Sequence, residues 1–112
     1  MEMAYDEKLA GRVRVLLASH QDVSEKRMFG GVAFLVNGHI AVAASSRGGL
    51  MVRIKPSDRD QLFEHSLAEP MEMGGRIMKG WLRVKSEHLT TKRQLQAWIA
   101  RGVAVARSLP AQ

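Results

Sequence analysis

The stretch KRMFGGVAFLVNGHIAVAASSRGGLMVRIK, residues 26–55, decides the fold. Its β-branched residues, punctuated by glycine, read as strands rather than helix. Asn37-Gly38 separates the apolar runs 32–36 and 39–44, and Asn-Gly supplies the two positive φ angles that a type I′ hairpin turn requires. A second break, Ser45-Ser46-Arg47-Gly48-Gly49, returns the chain into residues 50–55 and makes a three-strand antiparallel meander, which Pro56 stops. A two-residue turn pairs Val36 with His39, Phe34 with Ala41 and Val32 with Ala43 on one face, and Leu35 with Ile40 and Ala33 with Val42 on the other. Both faces are apolar. Helices in a two-layer fold cover one of them, so the second face predicts a cover, in the form of a homodimer or its equivalent.

Outward from this meander the signals become helical. Residues 6–19 place Leu9, Val13, Leu16 and Leu17 on one stripe, with Asp6 as N-cap. Residues 57–65 read as a short helix, with Ser57 and Asp60 at capping-box spacing and Leu62-Phe63 as its anchor. Residues 71–73 and 81–85 read as two further strands, joined by the glycine-rich connection 74–80. Thr91 and Gln94 form a T-x-x-Q capping box, after which Leu95, Trp98, Ile99, Gly102, Val103 and Ala106 recur at helical spacing until Pro110. That spacing predicts a helix packing its Trp98 stripe on the sheet. The order α-βββ-α-ββ-α predicts an α+β two-layer sandwich, with three helices and an antiparallel sheet of about five strands. A parallel nucleotide-binding sheet does not suit this order.

Composition sets the outer bounds. The 112 residues carry a formal charge of +6, with 46% hydrophobic residues, 25% charged and no cysteine. The length suits a single domain spanning residues 1–112, without repeats or linkers. Absence of cysteine removes disulfide frameworks, thiolate zinc sites and cysteine nucleophiles, and fits a cytoplasmic protein. No apolar run approaches the eighteen or so residues of a membrane span. The basic lean is spread along the chain, so any patch must be assembled by folding.

Two strands do offer such a patch. Met51, Arg53 and Lys55 alternate with Leu50, Val52 and Ile54, and Trp81, Arg83 and Lys85 alternate with Leu82 and Val84. If these strands are neighbours, Arg53, Lys55, Arg83 and Lys85 surround Trp81 and Met51, a basic face with an aromatic suited to phosphate contacts and base stacking. The bland alternative is the polar face of a half-buried sheet. Arg76 and Lys79, among the glycines of the 74–80 connection, add two cations to this candidate nucleic-acid or partner face, and with exposed N–H groups they form a weak anion-binding candidate.

Other chemistries find little purchase. Gly30-Gly31 leads into a strand, unlike a P-loop or a dinucleotide fingerprint. His20, His39, His65 and His88 are scattered without ligand spacing, and Met71, Met73 and Met78 read as core or interface rather than a thioether metal site. The serines lack a nucleophile elbow, and Glu64, Glu69, Glu72 and Glu87 have no surroundings that shift a pKa. No catalytic residue, metal or cofactor is expected, and the chain reads as non-enzymatic.

The run Glu25-Lys26-Arg27-Met28-Phe29-Gly30-Gly31-Val32-Ala33-Phe34, continued by Asn37-Gly38, resembles the N-terminal domain of the TfoX/Sxy family. So do Met73-Gly74-Gly75, Met78-Lys79-Gly80-Trp81, the opening Ala4-Tyr5-Asp6-Glu7-Lys8-Leu9, and the closing residues 98–110. The resemblance implies a two-layer fold with an antiparallel sheet. It also implies an association with bacterial regulators of natural competence, which act with a cyclic-AMP-dependent activator. Relatives of that kind add a C-terminal helical domain, whereas this chain stops after the N-terminal module and is expected to be a stand-alone copy. The family motif brings no catalytic residues, and Met28, Phe29, Gly30, Gly31 and Phe34 read as structural. The expectation is a non-enzymatic regulatory or interaction domain that is dimeric and contacts transcription machinery or nucleic acid. The alternative is a small-ligand or anion-binding domain, with the connection from Gly74 to Trp81 as a lid.

Overall fold

In a computed structural model, residues 7–28, 30–44, 48–65 and 68–110 are described. Helix α1 (Glu7–Leu17) leads into four consecutive strands, β1 (Val23–Met28), β2 (Gly31–Val36), β3 (His39–Ala44) and β4 (Leu50–Arg53). Helix α2 (Arg59–His65), the hairpin β5 (Glu69–Met73) and β6 (Arg76–Val84), and helix α3 (Lys92–Ser108) follow. The strands form one antiparallel sheet in the order β1-β2-β3-β4-β6-β5. The α+β class therefore holds, with six strands in place of about five. The added strand is β1, whose central residues Ser24, Glu25, Lys26 and Arg27 are all exposed. An edge strand needs no apolar alternation, and charge on it discourages pairing with other chains.

The first hairpin turns on Asn37 and Gly38, with φ of 53° and 87°. Its register begins as expected, Val36 opposite His39 and Leu35 opposite Ile40, and then slips: Phe34 pairs with Val42, Ala33 with Ala43 and Val32 with Ala44. Ala41 is the extra residue of a β-bulge, which corrects the expected pairs Phe34 with Ala41, Ala33 with Val42 and Val32 with Ala43. The slip brings Val42 to the helix side with Phe34 and sends Ala43 to the far side with Ala33. Asp6 and residues 45–47, expected as an N-cap and part of a turn, lie outside the described residues, as does Phe29.

The helix-side core joins Leu9, Val13 and Leu17 of α1 to Phe34, Val42, Leu50, Val52, Leu82 and Val84 of the sheet and to Leu95, Ile99, Val103 and Ala106 of α3. Helix α3 begins as read: Thr91 Oγ1 accepts from the Gln94 N–H and Gln94 Oε1 from the Thr91 N–H, each at 3.1 Å. Its buried stripe centres on Ile99 and Gly102, and Trp98 packs half-buried at the margin. Before α2, Pro56, Ser57 and Asp58 form a 3₁₀ turn without a side-chain cap. Ser57 therefore lies within that turn and not ahead of a helix, in contrast to the capping box expected with Asp60.

The far side of the sheet is sealed within one chain. Ala33, Ala43, Met51 and Met71 are at most 2% exposed, with Met28, Leu35, Ile40, Met78 and Trp81 packed around them. The open apolar face from which a homodimer was expected is thus absent at these positions. Part of the closure comes from β6. Between the pairs Pro70 with Leu82 and Glu72 with Ile77, β5 contributes only Met71 while β6 contributes Met78, Lys79, Gly80 and Trp81. This bulge lets Met78 and Trp81, three residues apart, both pack on the Met71 cluster. The connection read as 74–80 is correspondingly short: Gly74 and Gly75, with φ of 60° and 79°, make the turn, and Arg76 to Gly80 belong to the strand.

Gly102 is the tightest contact between the layers. A Cβ there would lie 2.5 Å from the Ala41 carbonyl oxygen and 2.9 Å from Val42 Cγ1, whereas Gly11 on α1 has open space. Gly102→Ala is expected to destabilise the fold by about 1–3 kcal/mol through overpacking, lowering Tm by some 4–8 °C per kcal/mol. Gly11→Ala is expected to raise stability by about 0.5–1 kcal/mol through helix propensity alone. Parallel thermal melts of the two variants check both signs.

Candidate interaction surface

Strands β4 and β6 are neighbours, in the register Met51 opposite Arg83 and Arg53 opposite Trp81. Met51, Arg53, Trp81 and Arg83 therefore share the far face of the sheet, as their alternation implied. What they do there differs from the expectation. The Arg53 guanidinium lies 4.7 Å from the Trp81 ring centroid, and its Nε–H donates to the Ile40 carbonyl. Burial pushes its pKa below the usual guanidinium value, and the ring and carbonyl replace part of the lost hydration. Arg83 donates from Nη1 to the Gly48 carbonyl at 2.8 Å. Both arginines therefore tie neighbouring segments of the sheet together. Lys85 Nζ sits 3.6 Å from Glu69 Oε2, across the β5/β6 pair.

The remaining cations of the expected face are differently placed. Lys55, Arg76 and Lys79 are exposed and make no ion pair among the described residues. The Ile54 N–H donates to the Gly80 carbonyl at 2.9 Å, so Lys55 and Lys79 flank one hydrogen bond at the β6 bulge. Arg76 lies three residues further out, beside the Gly74-Gly75 turn. The seven candidates divide accordingly: Arg53, Trp81 and Arg83 are built into the sheet, Lys85 is paired, and Lys55, Arg76 and Lys79 face solvent. The lid expected over the sheet from Gly74 onward is instead a strand.

A second polar cluster joins residues far apart in sequence. Arg107, near the C-terminus of α3, donates from Nε and Nη2 to both carboxylate oxygens of Asp22 at 2.9 and 2.8 Å, and Nη2 also donates to His20 Nδ1 at 3.1 Å. His39 Nε2 bonds the Pro110 carbonyl, shortly after Arg107 in the chain. Arg14 makes a bidentate pair with Glu25 at 2.7 and 2.8 Å, tying α1 to β1. Arg107 holds the Asp22 carboxyl below the usual range, and Asp22 raises the Arg107 pKa in turn. Nothing in the local sequence announces a contact spanning 85 residues. The cationic character of α3 was legible, however: Lys92, Arg93, Arg101 and Arg107 lie in a helix with no carboxylate.

Among the described residues no three histidine or carboxylate side chains gather as a metal-ligand group, and no helix is long and apolar enough to cross a membrane. Met71 and Met78 meet within the apolar far-face cluster, in keeping with a packing role.

The model of the TfoX N-terminal domain matches residues 15–106. The chain belongs to the TfoX N-terminal domain family. The match takes in the sheet, α2 and nearly all of α3, while the opening residues 4–9 fall outside it. No curated protein and no solved structure matches the chain. Among the glycines of this TfoX N-terminal domain, Gly30, Gly38, Gly74 and Gly75 have positive φ, Gly80 sits in the β6 bulge and Gly31 opens β2.

The depressed Asp22 pKa fixes the sign of a pH effect. A carboxyl bound more acidic in the folded chain than in the unfolded chain contributes stability above the ordinary aspartate range, and loses it as pH falls through the lowered value. Urea unfolding is expected to show Asp22→Asn less stable than the parent at pH 7, with the gap closing as pH falls below the ordinary aspartate range and through the lowered value. A gap independent of pH would mean that the Arg107 pair contributes nothing through its charge.

Proposed function

We propose that this chain is a non-enzymatic interaction module of a TfoX/Sxy-type regulator, working in the cytoplasm, and that it contacts nucleic acid through Lys55, Arg76 and Lys79. The observation that carries the reading is the β6 bulge, which presents Lys79 beside Lys55 while Arg76 stands at the adjacent hairpin end. Such cations contact phosphates without competition from an internal carboxylate, and phosphate contacts supply most sequence-independent affinity. Arg53 stacked on Trp81 lies next to them and supports the hairpin from the sheet. The family supports a TfoX-like module. Regulation of transcription or competence, with a protein of the transcription machinery as further partner, is the role that such a module would serve. A homodimer would present two such hairpins and double the phosphate contacts.

Fluorescence anisotropy of labelled duplex DNA, single-stranded DNA and RNA across a salt series tests this reading, with light scattering to compare the mass with 12.4 kDa. Binding is expected to weaken linearly in log salt, and K55A/R76A/K79A to reduce the slope by about 2–3 without altering thermal stability. Arg53→Ala is expected to lower Tm instead, since it removes a packed guanidinium from Trp81 and Ile40. Absence of binding at low salt, or an unchanged slope in the triple variant, would discard the nucleic-acid reading.

A further inference from the structure

The helix layer contains a feature that the hairpin reading does not use. At one end Arg12 Nη2 donates to the Thr90 carbonyl at 3.3 Å, bridging α1 to the approach of α3, and at the other Arg107 is held by Asp22. Between these ties a cleft of about 220 Å³ opens, floored by Leu16, Leu17, Ile99 and Val103 and walled on the α3 side by Ala100 and Ala104. Leu17, Ile99 and Val103 are almost wholly buried core residues, so the floor of the cleft is the outer edge of the helix-side core, and Leu16 is its half-buried rim. Next to Leu16 in α1, Val15 is 74% exposed. Through Gln96 and Ala100 the cleft runs on into a shallow depression lined by Lys92, Arg93 and Ala97.

Charge selects the occupant. No carboxylate lines either depression, and α3 carries four cations and no acid. Arg107 is neutralised by Asp22 and Arg101 lies 3.9 Å from Asp58, whereas Lys92 and Arg93 make no ion pair among the described residues. These two cations also stand in the first turn of α3, where the helix dipole disfavours positive charge, so an anionic group brought there is doubly favoured. The adjoining depression holds about 560 Å³ but is shallow and open rather than the enclosed concavity of a small-molecule pocket, and the cleft itself holds about 220 Å³. Its apolar floor likewise has nothing to offer a phosphate backbone.

We propose that the α1/α3 cleft docks an acidic amphipathic helix of a protein partner. Its apolar side chains, at i, i+3 or i+4, and i+7, enter between Leu16 and Ile99, and its carboxylates lie over Lys92 and Arg93. From Arg93 to Arg107 the track is about 21 Å long at 1.5 Å per residue, four turns of a docked helix. The alanines at 97, 100 and 104 let the two backbones approach closely. This surface is separate from the Lys55, Arg76 and Lys79 hairpin and goes beyond the nucleic-acid reading.

The test uses a fluorescein-labelled synthetic peptide of about four helical turns, with leucine on the docking stripe and glutamate elsewhere, and a second peptide with lysine in place of every glutamate. The glutamate peptide is expected to bind at least tenfold tighter than the lysine peptide and to move amide resonances of Leu16, Ile99, Ala100 and Ala104. Ala100→Glu, at an exposed position that a helix tolerates, is expected to weaken the glutamate peptide about tenfold. K92E/R93E should reverse the preference toward the lysine peptide, while K55A/R76A/K79A should leave it unchanged. The proposal is overturned by equal affinity for the two peptides, by no detectable binding of either, by resonance changes confined to the β5/β6 hairpin, or by indifference to Ala100→Glu. Loss of nucleic-acid binding together with retained peptide binding would sink the hairpin reading alone.

Discussion

The approach of Gly102 to the Ala41 carbonyl sets the spacing of the two layers. Ala41 is the extra residue of the β3 bulge, and its carbonyl meets α3 at the one point of the helix that has no side chain. A bulge tilts a strand locally and changes which side chains face the core, so the same irregularity turns Val42 toward the helices and lets α3 seat deeply. Ile99 and Val103, on either side of Gly102 in the helix, then fill the space over the sheet from a fixed height. The core is closed by this juxtaposition of a bulge and a glycine, neither of which would suffice alone.

The far face is closed by a different means. No described helix covers it, yet Met51 and Met71 are almost wholly buried. The second bulge, in β6, supplies the cover by keeping Met78 and Trp81 both on Met71, and methionine suits the irregular space because its side chain adapts to it. Arg53 completes the arrangement over the Trp81 ring. A guanidinium can do this because its planar, weakly hydrated cation stacks on an aromatic face and loses less hydration than an ammonium would. Basic residues on a sheet face are thus compatible with structural work, and their mere alignment does not make a ligand surface.

Much of this was legible in the chain. Asn37-Gly38 fixed the first hairpin, Thr91 and Gln94 the start of α3, and the alternation of residues 50–54 and 81–84 the shared face of β4 and β6. The misses have a common cause. Strand β1 is polar because its edge position makes no demand for apolar residues, and the two bulges depend on tertiary contacts that the local pattern does not record. A strict period-two reading carried Phe34 onto Ala41 because nothing in HIAVAA marks Ala41 as the extra residue. The division of the candidate cations was hidden for the same reason: Arg53 and Lys55 look alike in sequence, and only the position of the Ile40 carbonyl and the Trp81 ring separates them. The TfoX motif itself was readable, because its glycines mark turn positions that the fold requires.

Net charge is the last quantity that folding reinterprets. A formal +6 is spread along the sequence, and the alternation of residues 50–55 and 81–85 suggested one basic face, but the fold distributes these cations differently. Arg53 and Arg83 are absorbed into sheet structure, while Arg14 fastens α1 to β1 through Glu25 and Arg107 fastens α3 to the turn before β1 through Asp22. Among those left at the surface, two groups have different neighbours. Arg76 and Lys79 sit on the β5/β6 hairpin and Lys55 beside it just past β4, a setting open to extended polyanions. Lys92 and Arg93 line a shallow depression adjoining a cleft with an aliphatic floor, where a ligand can meet the charge and bury apolar surface together. Binding energy in the second setting comes chiefly from the buried area, with charge setting orientation and partner choice. An anionic partner lacking an apolar face gains only the charge term there, so the proposed docking favours ligands with an apolar face, whereas the Lys55, Arg76 and Lys79 surface makes no such demand.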